Sequence, residues 1–149
     1  MRPRYSFSSR KSRNARDSKK LRKQKSTYPD ILNKIIKDSD IILEVLDARF
    51  PEDTRNKEIE DQIKKQKKQI IFILNKADLT SPSKLKKYNY LTPNISISCT
   101  KRQGSKKLRD LIKQLSKKIK TDEKIKVGVI GYPNTGKSSL INFLIGKSS

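Results

Sequence analysis

Apolar residues in this chain fall into short β-rich runs, separated by longer stretches in which they recur every three or four positions. Ile41-Ile42-Leu43-Glu44-Val45-Leu46, ending at Asp47, and Gln69-Ile70-Ile71-Phe72-Ile73-Leu74, ending at Asn75, read as strands covered on both faces. Asn94 to Ser98 and Lys126-Val127-Gly128-Val129-Ile130 supply a third and a fourth strand. Ahead of the first, Pro29 suits a first helical position, with Asp30 in the first turn and Ile31, Leu32, Ile35 and Ile36 on one side. Between the first two strands, Thr54 is placed to cap a polar helix with Ile59 and Ile63 one turn apart, the spacing of a parallel crossover. Ser81-Pro82 opens a short helix carrying Leu85 and Tyr88. Gly104 to Lys120 places Leu108, Leu111, Ile112, Leu115 and Ile119 along one face, as in a helix lying on a sheet. Lys137 to Ile145, with Leu140, Ile141, Phe143 and Leu144, is the last helix. Four strands each followed by a helix specify an α/β three-layer sandwich around a mostly parallel sheet.

Charge changes the picture. The 149 residues suit one domain, and 37 Lys and Arg against 15 Asp and Glu give a net charge of +22, which points to a polyanionic partner. Residues 1–28 hold 11 of the bases and a single acid, Asp17, with few apolar residues, so they are expected to form a basic disordered tail. Such an arm binds phosphate backbone by releasing counterions. Residues 29–149 make up the folded domain and are themselves basic. No run approaches the ~20 apolar residues of a membrane span, so no membrane partner is expected. Cys99 is the single cysteine, which excludes an internal disulfide and suggests a reducing, cytoplasmic setting.

Chemistry concentrates after two of the strands. Gly131-Tyr132-Pro133-Asn134-Thr135-Gly136-Lys137-Ser138 satisfies G-x-x-x-x-G-K-[ST] between a predicted strand and a predicted helix, the context a phosphate loop requires. Its glycines permit a tight turn of inward backbone N–H groups, and the helix adds its positive N-terminal end. Lys137 is expected to bridge β- and γ-phosphate oxygens and Ser138 to ligate Mg²⁺, with Asn134, Thr135, Gly136 and Ser139 completing the phosphate side. Asn75-Lys76-Ala77-Asp78 follows the second strand and specifies the base. Guanine offers adjacent N1–H and N2–H donors that the Asp78 carboxylate accepts together, and adenine lacks that pair. Asn75 can tie this loop to the phosphate loop, while the Lys76 stem covers the ring. Ser98-Cys99-Thr100, which ends the third strand, resembles the loop in GTPases where a backbone N–H, here that of Cys99, meets guanine O6.

In a standard small GTPase the phosphate loop comes first and N-K-x-D late, whereas here the order is reversed. With Asp47-Ala48-Arg49-Phe50-Pro51 after the first strand, the chain from about Asp40 onward resembles the circularly permuted GTPases of the YlqF/YawG type. Structurally, Asp47 can cap its loop and Arg49 pair with a surface acid. The resemblance implies a P-loop GTPase fold, GTP or GDP with Mg²⁺, and a role in large ribosomal subunit assembly on ribosomal RNA. Tyr132-Pro133-Asn134 resembles the branch that also uses K⁺. That family's Thr switch and D-x-x-G segment would follow the phosphate-loop helix, and neither occurs in residues 1–149. The domain is therefore expected to be truncated after that helix, to bind nucleotide weakly without useful hydrolysis, and to leave the outer edge of the 126–130 strand unpaired. Two other classes compete: a basic RNA-binding module with a vestigial pocket, and an ATP-using phosphotransferase. Oligomeric state is not legible.

Overall fold

The structure is a computed structural model that describes the backbone of Ser6–Phe7 and residues 27–146. In chain order the elements are β1 (Ser6–Phe7), α1 (Tyr28–Asp38), β2 (Ile41–Asp47), α2 (Pro51–Thr54), α3 (Lys57–Lys65), β3 (Gln69–Asn75), α4 (Pro82–Lys86), β4 (Asn94–Ile97), α5 (Ser105–Lys118), β5 (Lys126–Gly131) and α6 (Lys137–Ile145). The sheet order is β1-β5-β2-β3-β4, and every pairing is parallel. All seven residues of β2 are buried, because it lies inside the sheet with helices on both faces. One face packs Leu43, Val45, Ile71, Ile73 and Val129 against Leu108, Ile112 and Leu115 of α5 and Leu140 and Leu144 of α6. The other packs Ile42, Leu46, Ile70, Phe72 and Ile130 against Leu32 and Ile36 of α1 and Ile63 of α3. This is the expected α/β three-layer sandwich, and among the described residues no helix is long and apolar enough to cross a membrane.

Local chemistry explains the boundaries. Thr27 and Asp30 form a reciprocal capping box at the start of α1, whose Pro29 lies within the first turn. The expected cap at Thr54 is corrected. Thr54 closes α2, donating its hydroxyl to Phe50 O at 2.9 Å and accepting Asp47 N–H at 3.0 Å, so its oxygen is already engaged. Asn56 caps α3 instead, accepting Ile59 N–H at 3.2 Å.

The outer edge of β5, expected to be bare, carries a short strand: Ser6 and Phe7 pair with Lys126 and Val127. Unpaired N–H and C=O groups on a buried edge favour capture of any extended segment. The rest of the segment read as a tail, up to residue 26, lies outside the described residues, as do residues 147–149.

The apolar run of β2 hides an ionisable group in its middle. Glu44 is 1% exposed; its Oε1 accepts Asn56 N–H at 2.9 Å, and Oε2 has no hydrogen-bond partner among the described residues. Nearby, buried Glu60 holds the Arg55 guanidinium at 3.0 and 2.6 Å. Burial, reinforced by the Glu60 carboxylate, pushes the Glu44 carboxyl up to about 8 against the opposing pull of Asn56 N–H and Arg55.

Candidate functional site

The loops after β3 and β5 leave the same end of the sheet, with only β2 between their strands. Asn75, 3% exposed at the end of β3, reaches across and donates its side-chain amide to Thr135 O at 2.9 Å. The two sequence segments 60 residues apart are therefore one structural unit. Gly136 caps α6 with φ +93, and a Cβ there would collide with the Asn75 amide. Gly131 is equally constrained, since its Cβ would lie 2.7 Å from Val45 O on the neighbouring strand.

Lys76 adopts a left-handed backbone (φ 62) as the chain turns out of β3, and its ammonium donates to Asn134 O at 2.8 Å. Ala77 begins a short 3₁₀ turn, Ala77–Leu79, that presents Asp78. The buried Ser98 hydroxyl donates to Asp78 Oδ1 at 2.8 Å and accepts Lys101 N–H at 3.1 Å, which ties the third loop to the second. The Cys99 thiol sits 3.6 Å from Asn75 Oδ1 and is pushed up by burial and by the Asp78 charge, so it is a packing group and not a ready nucleophile. On the phosphate side, Thr135 is buried and donates to Tyr132 O at 2.8 Å. Lys137 Nζ rests on Gly131 O at 2.7 Å, while Ser138 and Ser139 are exposed in the first turn of α6. Asn134, also exposed, has φ 66.

Beside these loops a polar cleft of about 570 Å³ runs between the 99–102 loop and α6, lined by Cys99, Thr100, Arg102, Ser139 and Asn142 among others. Among the residues singled out for nucleotide contact, hydrogen bonds join Asn75 to Thr135, Lys76 to Asn134 and Ser98 to Asp78, while Cys99 and Ser139 line the cleft. Asp47, read from the sequence only as a loop cap, also meets a candidate site residue, Lys76. Its carboxylate does cap the loop, accepting Arg49 N–H at 2.9 Å, but the partner of Arg49 is not a surface acid: the guanidinium takes Asp47 itself at 3.1 and 2.9 Å. The Arg49 hydrogen bond holds the Asp47 carboxyl below its usual range. Asp47 also lies 3.5 Å from Lys76 Nζ, a contact no local spacing announces because it depends on strand register.

Residues 126–149, comprising β5, the phosphate loop and α6, match a family model described as 50S ribosome-binding GTPase. The chain is 47% identical over 129 residues to an uncharacterized GTP-binding protein of Methanocaldococcus jannaschii, covering 85% of this chain and 34% of that protein. The chain is a relative of the P-loop GTP-binding proteins. It is 37% identical over 146 residues to a nuclear GTP-binding protein of Saccharomyces cerevisiae, covering 85% of this chain and 28% of that protein. Against nucleolar GTP-binding protein 2 of the same yeast the identity is 43% over 122 residues, covering 76% and 25% respectively. The chain spans between a quarter and about a third of the length of these relatives. The yeast proteins, by their names, overturn the cytoplasmic expectation. A lone cysteine reports a reducing compartment, and the nucleus shares that property with the cytosol.

Proposed function

We propose that this P-loop GTPase relative binds GTP and GDP with Mg²⁺ at the loops after β3 and β5, as the nucleotide domain of a circularly permuted GTPase. The observation that supports the reading is the Asn75 amide bond to Thr135 O, which ties the loop proposed to read the base to the loop proposed to hold the phosphates. The donor set fits the group: a carboxylate at Asp78, an ammonium at Lys137, a hydroxyl at Ser138 and the N-terminal amides of α6. In this reading Asp78 accepts the guanine N1–H and N2–H, Cys99 N–H meets O6, and the Lys76 stem covers the ring. Lys137 leaves Gly131 O for the β- and γ-phosphates, and Ser138 takes Mg²⁺. Bound Mg²⁺ supplies positive charge where phosphate oxygens become most negative. A K⁺ ion at Asn134 belongs to the same proposal. In the whole protein the reaction is hydrolysis of GTP to GDP and phosphate, coupled to docking on a large ribosomal subunit precursor. The basic arm supplies contacts to ribosomal RNA.

Equilibrium binding of labelled GTP to the chain, competed with GDP and ATP in Mg²⁺, tests the reading. Displacement by GDP and not by ATP is expected. Equal displacement by ATP would favour a phosphotransferase. Absence of nucleotide binding together with steeply salt-dependent RNA binding would leave the RNA-binding module with a vestigial pocket.

A further inference from the structure

We infer that Asp47 is a positioning residue for the nucleotide site: it aims Lys76 at the phosphate loop, with Arg49 holding the carboxylate in place. The consequence for affinity rests on the guanine-nucleotide reading; the positioning itself does not.

Asp47 ends the one strand that separates the two site loops, and in the sheet register it lies opposite Asn75. Ala48 N–H donates to Asn75 O at 2.7 Å, so the loops after β2 and β3 leave the sheet as a pair. The Asp47 carboxylate is 8% exposed, and both oxygens are engaged by the Arg49 fork, which fixes its orientation. The Oδ2 edge then faces Lys76 Nζ at 3.5 Å, and the same ammonium donates to Asn134 O at 2.8 Å. A lysine has four rotatable side-chain bonds and ordinarily keeps its head in water. Here it is pinned between a fixed carboxylate and a phosphate-loop carbonyl, with its backbone in a conformation unfavourable for a side chain. Removing the carboxylate leaves Lys76 without its counter-charge and free to swing outward, which releases the Asn134 turn. Base selectivity resides elsewhere, at Asp78, so Asp47 governs affinity and loop order without altering which purine is chosen.

The test uses the 149-residue chain with Asp47→Asn, Lys76→Met and both together, reading amide hydrogen exchange across residues 131–138 without nucleotide and affinity for GDP. Asp47→Asn is expected to raise exchange in the loop and weaken GDP by about three- to tenfold. The double variant is expected to lose no more than Lys76→Met alone, and the guanine-over-xanthine ratio to stay put. Additive losses, or parental exchange in Asp47→Asn, would overturn the inference. If GDP fails to bind the parent, the nucleotide reading falls while exchange still decides the positioning role. Should Asp47→Asn not fold, Arg49→Met alters a side chain that is 40% exposed and removes the fork that orients the carboxylate. It should raise loop exchange, by less than Lys76→Met does, and add nothing to Lys76→Met in the double variant; parental exchange, or an additive rise, would overturn the inference.

Discussion

The Asn75 side-chain amide fills the space behind Gly136, so the residue that begins the N-K-x-D loop also dictates what can stand in the phosphate loop. Gly136→Ala places a Cβ at φ +93, which costs about 1–2 kcal/mol in backbone strain. It also displaces a buried amide from Thr135 O, a further loss of about 1–3 kcal/mol. Gly146→Ala is the control, because that glycine has φ +78 and, among the described residues, nothing within 4 Å of an added Cβ. Thermal unfolding followed by circular dichroism should show a distinctly larger drop for Gly136→Ala than for Gly146→Ala, accompanied by loss of GDP binding. Equal drops would mean that Asn75 yields without cost.

Asp78→Asn keeps an acceptor for the Ser98 hydroxyl, so the tie between the second and third loops survives. In the proposed guanine reading, what changes is the pairing with the base: an amide offers one acceptor and a donor where guanine presents two donors. GTP affinity should fall by at least about tenfold, the equivalent of one charge-assisted hydrogen bond, and xanthine nucleotides should gain. Competition titrations of GTP against XTP decide this. An unchanged preference would show that Asp78 serves only Ser98.

Nine Lys and Arg residues lie between positions 10 and 25, and none of them belongs to the Ser6–Phe7 pairing with β5. Replacing them with Ser or Gln should leave the melting temperature nearly unchanged while weakening RNA binding. The plot of log affinity against log salt should flatten by roughly 0.7–0.9 for each phosphate that the arm no longer neutralises. Filter binding across a salt series measures the slope; an unaltered slope would place the RNA contacts on the folded body.

The parts of this fold that are legible in the sequence are those specified by local patterning. Ile41–Asp47 and Gln69–Asn75 are apolar on both faces because helices cover both, and α6 begins and ends where glycine permits. The phosphate loop and N-K-x-D are legible because each is contiguous. What escapes is whatever depends on register or on competition for one atom. Asp47 meets Lys76 only because β2 and β3 pair in parallel with these strand ends level. Thr54 looks like a cap until its hydroxyl is found already committed to Phe50 O and Asp47 N–H, which leaves Asn56 to do the capping. Glu44 disappears into an apolar run because its compensating groups, Asn56 N–H and the Glu60–Arg55 pair, come from the next crossover.

That buried glutamate makes stability depend on pH in an unusual direction. Folding raises the Glu44 carboxyl from 4.5 to about 8, so between those values the folded chain holds a proton that the unfolded chain has released. The resulting stabilisation is fully present below pH 4.5 and is lost as pH rises through about 8. The charged groups facing Glu44 are Glu60 on α3, which disfavours its ionisation, and Arg55, which favours it. Glu44→Gln should remove this contribution: the amide oxygen still accepts Asn56 N–H, and the amide nitrogen needs no proton from solvent to stay neutral. Urea unfolding at pH 5, 7 and 9 should show the parent losing stability relative to Glu44→Gln across the series, by an amount on the order of 1–3 kcal/mol. Parallel curves for the two proteins would mean that Glu44 is ionised in the fold and that Arg55, not a proton, neutralises it.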